Sequence, residues 1–147
     1  MSEEMPNPSE AVTSAWTSIM RARERLLAAI EADLKAAGMP PLAWYDVLWE
    51  LARSQDGKLR PYEIEERTLL AQYNLSRLID RLENEGLVRR EAFAEDGRGR
   101  WVVITDAGRK LRERMWTVYA GSIETHIGCK LAKNEAKTIA GLLDRFL

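Results

Sequence analysis

Asp96-Gly97-Arg98-Gly99-Arg100-Trp101-Val102-Val103-Ile104-Thr105-Asp106-Ala107-Gly108 is the stretch whose reading decides the fold, because the sequence changes period inside it. Arg98 stands between two glycines in the charged segment Ala94–Gly99, the composition of a hairpin tip. Arg100–Ile104 after it and Leu87–Phe93 before it read as short extended segments. Thr105 is then placed to cap a helix. Upstream, helical spacing places Leu75, Leu78, Ile79 and Leu82 on one face of a helix over about 72–85, closed by Gly86. A shorter helix precedes it over about 61–69, with Pro61 suited to its first turn, and Lys58-Leu59-Arg60 is long enough only for an edge strand. Two short helices followed by a two-stranded hairpin make a winged helix-turn-helix, here at 61–86 with the wing at 93–101.

Outside this lobe, which spans 40–104, the pattern is helical. Ser9 is a plausible cap for a first helix with apolar residues at Val12, Trp16, Ile19, Met20, Leu26, Leu27, Ile30 and Leu34, ended by Gly38 and Pro40-Pro41. A run of about 28 residues extends for about 40 Å, long for a small domain, and such a helix usually has a partner outside its own domain. A second helix over 42–54 carries Trp44, Val47, Leu48 and Leu51 on one stripe, and Gln55-Asp56-Gly57 turns the chain after it. Beyond Thr105 come Leu111, Met115, Val118, Tyr119 and Ile123, then an interruption at Gly128 and a last helix with Ile139, Leu142, Leu143 and Phe146. The expectation is a mainly α chain with a small β-hairpin wing, residues 1–147 forming a single domain.

The major groove of duplex DNA admits one helix, which must bury one face and offer polar groups on the other. On the helix over 72–85, Gln72, Tyr73, Asn74, Ser76, Arg77 and Arg81 are left for that outer face. Gln and Asn suit adenine edges, Arg suits guanine or phosphate, and Ser or Tyr suits phosphate. Arg98 at the hairpin tip suits a narrow minor groove. An ordinary solvated helix face and a solvated turn are the competing readings. Charge does not decide between them. The chain carries a formal net charge of −1, and between Lys58 and Arg100 nine basic residues meet nine acidic ones.

In combination these residues resemble the MarR family of regulators. Residues 96–108 fit its signature of Asp-x-Arg, three residues, Val/Ile, x, an aliphatic, Thr, two residues and Gly. Ser76-Arg77-Leu78-Ile79-Asp80-Arg81-Leu82-Glu83 and Gly86-Leu87-Val88 fit its recognition-helix pattern, and Trp44, Val47 and Leu48 sit where it has its second-helix core. The resemblance implies a homodimer with two winged-helix lobes on a palindromic double-stranded DNA operator, acting as a repressor. It further implies that helices over 9–37 and 105–146 interlock with the partner chain. It places the helix over 72–85 in the major groove and Arg98 in the minor groove, with Asp96 orienting the wing and Arg100 beside it. Thr68 and Leu69 depart from the family's common turn residues, and Ala71 and Ala132 stand where a capping side chain is usual.

Many relatives of this kind sense a small aromatic acid or an oxidant. An effector of this chain is expected to be apolar and aromatic, met by Trp16, Met20, Trp44 and Trp116, with Arg21, Arg23 or Arg53 as anion partners; core or dimer-interface roles for these aromatics compete with that reading. Cys129 is the single cysteine, late and isolated, and His126 is the single histidine, so neither an oxidant sensor nor a zinc site is expected. No nucleophile-base pair, phosphate-cradling loop or metal cluster points to an enzyme or a cofactor. No run of 18 apolar residues and no charged-then-apolar leader points to a membrane or to export, so a cytoplasmic protein is expected. The remaining rival is a winged-helix dimerisation or interaction module without DNA binding, for which the balanced charge speaks. Arg98→Ala is expected to weaken operator binding by about 1–3 kcal/mol; an affinity equal to wild type in a direct titration removes the wing assignment.

Overall fold

The computed structural model describes residues 5–69, 74–93 and 99–147. Its order is α1 (Glu10–Ala36), α2 (Leu42–Ala52), β1 (Lys58–Leu59), α3 (Pro61–Arg67), α4 (Leu75–Asn84), β2 (Val88–Ala92), β3 (Arg100–Ile104), α5 (Asp106–His126) and α6 (Lys133–Leu143), with short 3-10 turns at 55–57, 128–130 and 144–146. The strands form one antiparallel sheet in the order β1-β3-β2, so β1 is the edge strand its length suggested. This is the winged helix-turn-helix that the sequence anticipates.

Helix α2 is the centre of the lobe. Val47, Leu48 and Leu51 are fully buried, and Leu42, Tyr45, Asp46 and Glu50 are nearly so, which leaves the helix enclosed on most sides. Around it close Leu59 from β1, Ile64 from α3, Ile79 and Leu82 from α4, Val88 and Val102 from the hairpin, and Leu111 and Met115 from α5. Leu34 and Ile30 join from the last turns of α1. Leu75 and Leu78 on α4 lie at the rim of this core, partly buried, while Ile79 and Leu82 lie inside it.

Two polar knots fix the helices around the lobe. Asp33 of α1 accepts hydrogen bonds from Ser122 Oγ (2.6 Å) and His126 Nε2 (2.9 Å), both on α5. The Ser122 hydroxyl and then His126 stabilise the carboxylate, which holds the Asp33 pKa below its ordinary value. At the other end of α5, Thr105 Oγ1 donates to the carbonyl of Gly86 (2.7 Å) and accepts from the N–H of Gly108 (3.1 Å), while the Thr105 N–H donates to the carbonyl of Leu87 (3.0 Å). Gly86 carries φ +73°, a left-handed turn that ends α4, and Leu87 N–H reaches back to the carbonyl of Leu82. Gly108 is a glycine because a Cβ there would strike the Leu87 carbonyl.

One helix start differs from the expectation. Helix α4 begins at Leu75, not near residue 72, because Asn74 is its cap: Asn74 Oδ1 accepts from the N–H of Arg77 (3.1 Å). Helix α6 starts behind Ala132, which has no capping oxygen, and Glu135 compensates by accepting from the Ala132 N–H (2.9 Å). Much of the apolar stripe of α1 has no cover in the single chain. Val12, Trp16 and Met20 are exposed, as are Ile139, Leu142 and Phe146 at the other end of the sequence, and α6 buries no residue at all. Among the described residues no helix is long and apolar enough to cross a membrane.

Thr105→Val keeps the shape of the side chain and removes both hydroxyl bonds. It is expected to cost about 1–2 kcal/mol in urea unfolding, with Thr105→Ser close to wild type; equal stability of the valine variant contradicts the role given to this junction.

Candidate nucleic-acid interface and effector cavity

The outer side of the lobe is built by α4 and the hairpin. Ser76 and Arg77 stand exposed on the first turn of α4, and neither helix nor sheet covers them. The hairpin is braced to the same helix by Arg90 of β2. Its Nη1 lies 2.7 Å from Glu83 Oε1, its Nη2 lies 2.6 Å from Asp80 Oδ1, and its backbone N–H donates to Glu83 Oε2 (3.2 Å). Burial opposes the charge on Arg90, but the hydrogen bonds it donates to Asp80 and Glu83, with their charges, outweigh it and raise its pKa. The wing is therefore tied to α4 by a charge-assisted fork.

The arginines and lysines of this region fall into two groups. Arg67 pairs with Glu63, Arg81 with Glu85, Arg89 with Glu91, and Arg90 with Asp80 and Glu83. Lys58, Arg60, Arg77 and Arg100 have no carboxylate partner among the described residues. Lys58 and Arg60 rest on rings: Lys58 Nζ lies 5.0 Å from the Trp101 centroid, and Arg60 Cζ lies 4.7 Å from Phe93 and 5.1 Å from Trp101. Phe93 and Trp101 meet edge to face at 5.1 Å.

A cavity of about 610 Å³ opens between α1, α2, α5 and the end of α3. Its wall is aromatic. Tyr45 stacks near Trp49 (6.4 Å) and Trp116 (6.0 Å) and meets Tyr119 edge to face (5.0 Å). Arg23 and Arg112 supply positive charge, and Arg112 Cζ lies 5.3 Å from the Trp49 ring. Burial raises the pKa of Tyr45, although hydrogen bonding from Arg112 works the other way. Burial also raises that of Tyr119, helped by the charges of Tyr45 and Asp46. Both phenols are thus neutral at physiological pH and keep their O–H donors. Asp46 forms part of the same wall, and its Oδ2 accepts the N–H of Leu69 (2.8 Å), the residue that leads out of α3.

Residues 37–99 match the model of the MarR family. Solved structures agree across nearly the whole chain. Sco5413, a MarR family transcriptional regulator from Streptomyces coelicolor, is 28% identical, with 94% of each chain covered and a TM-score of 0.78. Sco3205 from the same organism, a MarR family regulator solved in complex with DNA, is 24% identical, with 99% of this chain and 91% of that one covered and a TM-score of 0.83. The winged-helix lobe resembles the MarR family. BpsR of Bordetella bronchiseptica, whose DNA binding is regulated by 6-hydroxynicotinic acid, is 22% identical, with 95% of this chain and 97% of that one covered and a TM-score of 0.80. No curated protein matches the chain in sequence.

Within this lobe the residues anticipated for DNA divide by position. Ser76 and Arg77 are exposed on α4, and Arg100 is exposed at the start of β3. Asn74 engages its carboxamide oxygen as the helix cap. Arg81 turns along the lobe toward Glu85 and lies 6.0 Å from the Trp44 ring. Gln72, Tyr73, Asp96 and Arg98 lie outside the described residues. Of the four residues anticipated for a ligand, Trp116 lines the aromatic cavity. Trp44 lines a separate groove with Arg81 and Arg114, while Trp16 and Met20 are on the exposed stripe of α1. Arg23 reaches the cavity, whereas Arg53 is paired with Glu50 at 2.9 Å. Sequence reasoning missed Tyr45, Trp49 and Arg112 at the cavity. Their signal was present as helical spacing, Tyr45 and Trp49 four apart on α2 and Arg112, Trp116 and Tyr119 on one face of α5. It also missed Lys58, Arg60, Phe93 and Trp101.

Arg90→Gln leaves Asp80 and Glu83, neighbours on α4, without the cation they share and unties the wing from the helix, and it is expected to lower stability by about 1 kcal/mol. Arg89→Gln, which loses only an exposed pair, is expected to stay within about 0.5 kcal/mol. Equal effects in chemical denaturation would show that the fork does not brace the wing.

Proposed function

We propose that this chain is a sequence-specific double-stranded-DNA-binding repressor that works as a homodimer on a palindromic operator and is released by a small aromatic anion. The observation that carries the DNA reading is the sorting of charge in the lobe. Its carboxylates neutralise Arg67, Arg81, Arg89 and Arg90, and Arg77 and Arg100 on α4 and β3 are left without a carboxylate partner among the described residues. A groove-reading helix requires such a local surplus and does not require a positive chain. Ser76 and Arg77 take the major groove, joined by Asn74 at the cap of that helix and by Gln72 and Tyr73, which precede it in sequence. Arg98 takes the minor groove, and Asp96 and Arg100 flank it.

Dimerisation is supported by the apolar stripe of α1 and by α6, where Trp16, Met20, Leu142 and Phe146 lie exposed. A second copy covers these faces and sets two lobes on two half-sites. The effector reading is supported by a cavity that joins an aromatic wall to Arg23 and Arg112. An aromatic carboxylate stacks on Tyr45 and Trp116 and pairs its anion with one of these arginines. The wall it touches includes Asp46, whose carboxylate holds Leu69 at the helix-turn-helix, so occupancy displaces the turn that precedes α4. The formal net charge of −1 favours an interaction module that does not bind DNA, and the same experiment separates the two.

The test is selection of fragments from the protein's own genome, with titration of the selected duplex in the presence and absence of benzoate- and nicotinate-type acids. Nanomolar binding by a dimer at moderate salt is expected. Quenching of tryptophan fluorescence by the effective acid should be weakened by Arg112→Gln. A monomer that selects no fragment ends the DNA reading, and a full panel without a saturable fluorescence change ends the effector reading alone.

A further inference from the structure

Among the described cations on the outer face of the sheet, Arg89 is paired with Glu91, whereas Lys58 and Arg60 are not paired with a carboxylate. They lie on the outer face of the sheet, the face opposite to the core. Register settles this, because Lys58 pairs with Val103 and Leu59 with Val102, and Val102 and Leu59 point into the core. Trp101 shares the outer face with Lys58, and Arg60 follows Leu59 on the same side. The one carboxylate directly across from Trp101 is Glu91, and it is engaged with Arg89 at 3.3 Å. Neither Lys58 nor Arg60 has a carboxylate within ion-pair distance among the described residues. Their only close partners there are ring faces.

A ring face holds a cation without neutralising it. The quadrupole of Trp101 and Phe93 attracts the guanidinium and the ammonium but accepts none of their N–H bonds in the ring plane. A planar guanidinium packed this way is oriented and still carries its forked donors, the geometry that suits a phosphate. The backbone is adapted to the bracket. Phe93 N–H donates to the Gly99 carbonyl (3.1 Å), and the Phe93 ring occupies the space that a Cβ at Gly99 would fill. Any side chain at 99 would push the ring off Arg60. The two rings belong to the two chain segments that lead into and out of residues 94–98, so they also define where the wing leaves the sheet.

We propose that Lys58 and Arg60, seated on the aromatic bracket of Phe93 and Trp101, form a binding site for duplex-backbone phosphate at the root of the wing. The site rests on the DNA-binding reading and adds to it a contact that carries no sequence information. It lies on the sheet and not on the exposed first turn of α4, which the DNA-binding reading assigns to the major groove. Its work is to set the height and register of the wing on the duplex, so that the minor-groove residue enters at a fixed place.

The test compares wild type, the double variant Lys58→Gln/Arg60→Gln, Phe93→Leu and Phe93→Tyr on the genomically selected duplex and on a random-sequence duplex of the same length. Binding is read as log Kd against log sodium chloride. Each phosphate contact contributes about 0.9 to that slope, so the double variant should lose nearly two units on both duplexes. It should keep the wild-type ratio of specific to random affinity, because only the sequence-independent part is removed. Phe93→Leu should weaken both duplexes by a common factor, and Phe93→Tyr should behave as wild type. A double variant with the wild-type slope overturns the site while wild-type binding stands. A double variant that loses the specific-to-random ratio also overturns it, by moving these residues to base reading. Wild-type protein that binds neither duplex brings down the DNA reading, and this proposal with it.

Discussion

Thr105 is where three parts of the molecule meet. Its hydroxyl bonds the last carbonyl region of α4 at Gly86 and the first free N–H of α5 at Gly108, while its own N–H bonds Leu87 at the entry to β2. These are groups that helix ends leave unpaired in any fold, and burying them without partners would cost more than the bonds return in isolation. One small side chain therefore fixes the angle between α4, the hairpin and the long helix that leads away from the lobe. Gly108 lets α5 approach the Leu87 carbonyl, and Gly86 makes the reversal that brings that carbonyl within reach. The Thr-x-x-Gly ending of the wing motif is the chemical form of this constraint. The Arg90 fork between β2 and α4 then works inside an angle already set.

Balanced charge, read as a sum, argues against a nucleic-acid partner. In three dimensions the sum hides a separation. Carboxylates on α3, on α4 and at the α4 C-cap take up Arg67, Arg81 and Arg90, and Glu91 takes up Arg89 along β2. These pairs serve geometry, most clearly at Arg90. The cations left over occupy the first turn of α4, the start of β3 and the aromatic bracket on β1. Surface potential near a groove falls off over about 10 Å in ordinary salt, so local placement counts for more than net charge at contact range.

Most of the fold was legible in the sequence, because it was written in periods and caps. The change from helical spacing to extended segments marked the hairpin, and Ser9, Pro61, Thr105, Gly38 and Gly86 marked ends that stand where expected. The misjudged start of α4 has a plain cause. Ala71 was considered as a cap, whereas Asn74, counted among outward groups, had the side-chain oxygen that caps. The cavity was harder to read, since its residues come from three helices whose mutual rotation depends on tertiary packing. Tryptophan count pointed at Trp16, Trp44 and Trp116, but only Trp116 faces Tyr45 and Trp49. The aromatic bracket was illegible for a related reason: Arg60 and Phe93 are 33 positions apart and meet only through strand register.

The cavity and the helix-turn-helix share a residue, and this bears on how the proposed regulation can work. A ligand shifts an equilibrium only by its difference in affinity for two states, so its site must change shape when the DNA-reading helix moves. Asp46 meets that condition. It sits on the buried central helix, where α2 has little freedom, lines the aromatic wall, and holds the N–H of Leu69 at the exit of α3. Leu69 itself lines the cavity while its side chain is largely exposed. The buried helix α2 and the residue that leads out of α3 thus meet at one edge of the cavity. An aromatic guest at that edge acts on the Asp46–Leu69 hydrogen bond and on an exposed leucine, not on the buried core, and this is how the proposed effector would reach the helix-turn-helix.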